Sequence, residues 1–121
     1  MSNYIQVEIG GRLRGLKFNQ LSLEEYTKHV RIGTASAIYA TFFAGLMGNC
    51  YVKNEEPDFT FEEVCDWVDE LYAKQIPNII ENVCDVWAET FVYKEWLKGF
   101  QEKLRSILTP DEEPKPKKKM K

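Results

Sequence analysis

Residues 4–18 read Tyr4-Ile5-Gln6-Val7-Glu8-Ile9-Gly10-Gly11-Arg12-Leu13-Arg14-Gly15-Leu16-Lys17-Phe18, and this stretch decides the fold class. Ile5, Val7 and Ile9 alternate with polar residues, the period-2 pattern of a half-buried strand. Gly10-Gly11 supplies residues that tolerate positive φ in a tight turn. On the return, Leu13 is out of phase with Leu16 and Phe18. A three-residue turn pairing Ile9 with Leu13, and a bulge at Arg14-Gly15 opposite Glu8, would restore Val7 to Leu16 and Ile5 to Phe18. Ile5, Val7, Ile9, Leu13, Leu16 and Phe18 would then share one face. Two strands alone are marginal in water, so that face needs a helical body or a second copy to lie on.

Downstream, the apolar period changes to that of helices. Ser22 with Glu25 reads as a capping box opening a first helix, with Leu23, Tyr26, Thr27 and Val30 inward and Gly33 ending it. A second helix begins near Thr34, with Ala35, Ile38, Tyr39, Phe42, Phe43, Leu46 and Cys50 on one side. Its opposite flank holds Ala37, Ala40, Ala44, Gly45 and Gly48, small residues that let another helix come close. Residues 54–58 form an acidic, proline-broken loop. Thr60 and Glu63 cap a third helix whose buried stripe is Phe61, Val64, Cys65, Val68, Leu71 and Tyr72, with Trp67 on the flank. Pro77 opens a fourth. Apolar residues from Ile79 to Val92 surround its axis, and Trp96, Leu97, Phe100, Leu104, Ile107 and Leu108 continue at helical spacing. If Gly99 does not break it, this helix reaches Leu108, about 45 Å long. The expectation is an α+β fold, mostly α: a hairpin over 4–18, then about four helices over 22–108, the last one long. Residues 1–109 form one domain, and 110–121 a disordered, Lys- and Pro-rich tail.

The chain has 121 residues, of which 44% are hydrophobic and 29% charged, and its net charge is −3. Residues 1–109 carry 11 positive and 16 negative side chains, whereas residues 111–121 hold three carboxylates and five lysines. An acidic body argues against nucleic-acid binding, which needs clustered cations on a folded face. No apolar run reaches membrane-spanning length, and the first residues lack a signal-peptide pattern. A cytoplasmic protein is expected.

The chemistry of an active site is sparse. The sole histidine is His29, and Cys50, Cys65 and Cys84 are spaced too widely for a Cys-x-x-Cys ligand pair. Each cysteine reads as a small buried residue, and His29 as a solvated one. Glu62, Glu63, Asp66, Asp69 and Glu70 fall on the outer face of their helix. Gly10-Gly11 joins two strands and is no phosphate loop. No catalytic residue, metal ligand or cofactor site is assigned, and a non-enzyme is expected.

What the sequence holds in surplus is apolar surface. Trp87 and Phe91 read as core. Trp96, Leu97, Phe100, Leu104, Ile107 and Leu108 read as a protein-contact stripe, of the kind used in helix recognition and oligomer seams. The hairpin face is the second candidate seam. A homo-oligomer is expected on both counts.

The strand, the Gly10-Gly11-Arg12 turn, Leu16-Lys17-Phe18-Asn19 and the following helix with paired glutamates resemble the opening of phage tail assembly chaperones, small proteins of long-tailed phages. The resemblance covers residues 4–30. It implies a non-enzymatic protein that coats the apolar helices of the tape measure protein, brings tail tube subunits to it, and works in the host cytoplasm. The long apolar helix matches no signature of that family. The rival reading is a small regulatory or adaptor protein whose lysine tail touches nucleic acid or another anionic partner.

Overall fold

The computed structural model describes residues 3–31 and 33–108. The expected disordered tail, 110–121, lies outside them. Element order is β1 (Tyr4–Ile9), β2 (Arg12–Lys17), α1 (Gln20–His29), α2 (Thr34–Lys53), α3 (Phe61–Ala73), α4 (Pro77–Ala88) and α5 (Phe91–Leu108). The fold is α+β and mostly α, as expected, with five helices among the described residues where about four were expected.

The hairpin departs from the expected register. Gly10 and Gly11 both take positive φ, 64° and 85°, as the favoured two-residue hairpin turn requires. Ile9 therefore pairs with Arg12, Glu8 with Leu13, Val7 with Arg14 and Ile5 with Leu16, with no bulge. This puts Leu13 outward, 63% exposed, and Arg14 on the inner face. The fold accepts a guanidinium there because every side of it is satisfied. Nε donates to the Ile9 carbonyl (3.0 Å), Nη1 to Asp58 (2.9 Å) and Nη2 to the Gly10 carbonyl (3.4 Å). Its carbon sits 4.6 Å from the Trp67 ring centroid. Trp67 in turn lies so close under the turn that a Cβ on Gly10 would meet its indole at 2.6 Å. The Arg12–Asp58 pair beside it is solvent-exposed on both sides and contributes at most about 1 kcal/mol.

α2 occupies the centre. Ala40 to Leu46 are buried without interruption, and Gly48 with them. The close approach foreseen on its small-residue flank is made by β2 and the start of α1, where a helix was expected. A Cβ on Gly45 would meet Phe18 and Leu16, and one on Gly48 would overlap the Lys17 carbonyl and the Ser22 hydroxyl. Onto this pair of elements pack Val7, Ile9, Leu16 and Phe18 of the hairpin, Val64, Val68 and Leu71 of α3, and Ile80, Val83 and Trp87 of α4.

The α1 cap also differs. Asn19 is the N-cap and Ser22 the third residue, each side chain bonding the other's backbone N–H (both 3.0 Å). Ser22 is fully buried because its hydroxyl also donates to the Lys17 carbonyl at 2.7 Å, a role a Ser N-cap at the surface would not have. α1 ends at His29, Thr27 is exposed, and Gly33, with φ 124°, starts α2 where it was expected to end α1. The Thr60–Glu63 box of α3 is present as expected. Gly48→Ala is expected to lower unfolding free energy by about 1–3 kcal/mol, read as a drop in the denaturant midpoint; an unchanged midpoint contradicts the close contact.

Candidate protein-binding face

The long fourth helix is two helices. The chain breaks at Glu89–Thr90 and runs straight through Gly99, the reverse of the expected weak point. Thr90 makes the break. Its hydroxyl donates to the Trp87 carbonyl (2.8 Å) and accepts from the Tyr93 N–H (3.1 Å), closing α4 and capping α5 with one side chain. With the break there, α4 has an ordinary apolar face, Ile80, Val83 and Trp87, flanked by half-buried Ile79, Cys84 and Val86. Phe91, expected in the core, begins α5 on the outside at 74% exposure, because the turn at Thr90 swings its side chain away from the α4 face.

α5 is 18 residues long, about 27 Å, and it is docked at one end only. Val92, Tyr93, Trp96 and Leu97 are half-buried, whereas every residue from Lys98 to Ile107 is exposed. The docked end is held by aromatic contacts. Phe18 meets Trp87 at 5.2 Å between centroids, Trp87 meets Tyr26 at 5.2 Å, and Tyr26 meets Trp96 edge-on at 5.3 Å. Trp96 then stacks on Phe100 at 5.4 Å and 16°. A row of rings thus leads from the core into the exposed part of α5. Burial pushes the Tyr26 hydroxyl up to about 12, so it stays neutral. The indole N–H of Trp87 is buried without a well-formed hydrogen bond.

Of the stripe residues, Trp96 and Leu97 therefore belong half to the body, while Phe100 (48% exposed), Leu104 (41%) and Ile107 (71%) face outward at i, i+4 and i+7. The side chain of Leu108 lies outside the described set. Of the hairpin residues, Val7, Ile9, Leu16 and Phe18 are buried against this chain's own helices, Ile5 is half-buried, and Leu13 alone is exposed. The free part of the hairpin is an edge: because the Phe18 N–H bonds the Asn3 carbonyl, the alternation of an antiparallel ladder turns the backbone groups of Gln6 and Glu8 away from β2.

The titratable groups do not converge. Among the described residues no three His, Cys, Asp or Glu side chains are placed to hold a metal ion. The cysteines are free and half-buried, and burial raises all three thiols above their usual range, which disfavours the thiolate. His29 is wedged rather than solvated, stacked on Phe61 at 4.2 Å and edge-on to Phe43 at 4.9 Å. Among the described residues no helix is long and apolar enough to cross a membrane. No protein family, curated protein or solved structure matches the chain.

Two outcomes are expected here. Thr90→Ala removes the α5 cap and lowers stability by about 1 kcal/mol, with amide exchange in α5 faster than in wild type and exchange in α2 unchanged; α5 exchange equal to wild type's contradicts the role of Thr90. Burial holds the His29 imidazole below its ordinary value of 6.5, outweighing the Glu25 carboxylate nearby. The unfolded chain therefore binds that proton first, so the contribution of the neutral ring is present above pH 6.5 and lost as pH falls below it. His29→Phe keeps the stack without the titration, and its melting temperature should fall less than the wild type's between about pH 7.5 and 5.5.

Proposed function

We propose that this protein is a non-enzymatic assembly chaperone that covers an apolar helix of another protein, as phage tail assembly chaperones cover the tape measure protein and help recruit tail tube subunits in the host cytoplasm. One observation supports the reading above the others. From Lys98 to Ile107 α5 is exposed all round and still carries Phe100, Leu104 and Ile107 on one side. A helix stabilised only by its own body would be polar there, whereas a helix that docks into or beside another helix needs such anchors at i, i+4 and i+7. The N-terminal resemblance supplies the class of client: a long protein whose apolar helices must be shielded until it is assembled. Association between copies belongs to the same reading, with α5 and the β1 edge as seams.

The test is binding to amphipathic helical fragments of a tape measure protein by calorimetry. Wild type binds and keeps the fragments in solution, while Phe100→Glu with Leu104→Glu weakens binding by about 2 kcal/mol or more. Both side chains lie on the exposed part of α5, so the thermal melt stays within a few degrees of wild type. Wild type that binds no such fragment, or a double variant that binds as wild type does, overturns the reading.

A further inference from the structure

An open hollow of about 200 Å³ lies where α1, α2, α4 and the start of α5 meet. Tyr26, Ala37, Ile38, Cys84, Trp87 and Tyr93 wall it, and no side chain that lines it carries a charge. Burial, with Asp85 beside it, raises the Cys84 thiol and keeps it neutral. An apolar cavity of about 150 Å³ holds a benzene ring, so the space suits one substituted ring and little more.

Two polar side chains on this wall are more than nine-tenths buried, Trp87 at 3% exposure and Tyr26 at 5%, and their hydrogen bonding is incomplete. The Trp87 indole nitrogen is sealed from solvent without a well-formed partner, and the oxygen beside it is the Tyr26 hydroxyl. Among the described residues nothing accepts the proton of that hydroxyl, and unlike the indole nitrogen it is not sealed. Buried phenol and indole groups ordinarily find partners. Thr41, on the same wall, has its hydroxyl committed to the Ala37 carbonyl at 2.7 Å. What is left is one buried donor facing an uncharged, ring-sized space.

We propose that this hollow binds a small, neutral aromatic molecule whose carbonyl oxygen accepts the Tyr26 hydroxyl proton. With the O–H turned to the ligand, a lone pair of the Tyr26 oxygen is free to accept from the Trp87 N–H, so one ligand oxygen completes both buried groups. Linked hydrogen bonds of this kind strengthen one another away from water. A ligand carboxylate is disfavoured, because it would leave water for a wall with no cation to pair it. The inference goes beyond the proposed function and does not rest on it: Phe100, Leu104 and Ile107 take no part in the hollow.

Calorimetry and NMR on the full chain test it with three single-ring probes: acetophenone, which has a neutral carbonyl, ethylbenzene, which has none, and benzoate, which is charged. Wild type binds acetophenone with a dissociation constant below about 1 mM, within reach of so small a ligand, and benzoate not measurably. Acetophenone moves the indole N–H resonance of Trp87 and leaves that of Trp67 in place. Tyr26→Phe keeps the ring and loses the donor, so acetophenone binds about tenfold more weakly; its unchanged affinity for ethylbenzene shows that the hollow is intact. Ala37→Leu fills the space and abolishes binding of both. Phe100→Glu with Leu104→Glu, the variant that tests the chaperone reading, binds acetophenone as wild type does. Wild type that binds neither uncharged probe overturns the proposal and leaves the Tyr26 hydroxyl to water. Tyr26→Phe binding acetophenone as wild type does also overturns it. So does Ala37→Leu binding as wild type, or loss of binding in the α5 double variant, since either places the probe elsewhere. A tape measure fragment that displaces acetophenone assigns the hollow to a client side chain and overturns the small-molecule assignment while leaving the chaperone reading standing. Acetophenone binding by a protein that holds no client helix separates the two the other way.

Discussion

At Gly45 and Gly48 the backbone of α2 comes so close to β2 and the first turn of α1 that no side chain fits between them. That approach places Leu16 and Phe18 over the centre of α2, where both are buried almost completely, each contributing roughly 2 kcal/mol through loss of apolar contact with water. It also puts the Lys17 carbonyl where the buried Ser22 hydroxyl can bond it, which starts α1 in one direction only. α1 then presents Tyr26 to Trp87 and Trp96. The docking of α5 is thus a consequence, three steps removed, of two glycines in the middle of another helix.

A second constraint acts at the far end of the chain. α4 and α5 could have been one rod by their apolar periodicity, and Thr90 is the residue that prevents it. By spending its hydroxyl on both the Trp87 carbonyl and the Tyr93 N–H, it redirects α5 onto α1. Only the first half of α5 finds surface to cover there. On the outer half Phe100, Leu104 and Ile107 stay exposed among the described residues, and the surplus of lysine on that helix contrasts with the acidic α3. Shape and charge therefore divide the molecule into a packed body and one helix offered outward.

The sequence revealed the fold class, the two strands, the acidic outer face of α3 and the Thr60 cap, because each rests on a local pattern that tertiary contacts did not override. It misled where two local rules competed. For the hairpin, the apolar pattern that brings Leu13 inside conflicts with the turn geometry of two consecutive glycines, and nothing in the sequence announces that an arginine can take the inner-face position in place of a leucine. That choice depends on Asp58 and Trp67, more than forty residues away. For the long helix, glycine looked like the breaker and threonine like a passenger, although a Thr with its hydroxyl turned to the backbone is a good cap. The outward stripe was legible from residue spacing, but Phe91 and Tyr72 were not, since exposure of a ring at a periodic position depends on where the neighbouring helix stops.

The three tryptophans fall in three different environments, and this has a practical consequence. Trp67 lies beneath the hairpin turn and against the Arg14 guanidinium, Trp87 is buried in the core, and Trp96 stands half-covered where α5 leaves the body. Indole emission shifts with local polarity, so each ring is a built-in optical gauge of a separate event. Retaining one indole at a time, with phenylalanine at the other two positions, would let melting of the hairpin, loosening of the interior and arrival of a ligand at the carboxyl-terminal helix be timed independently, one stopped-flow trace per variant.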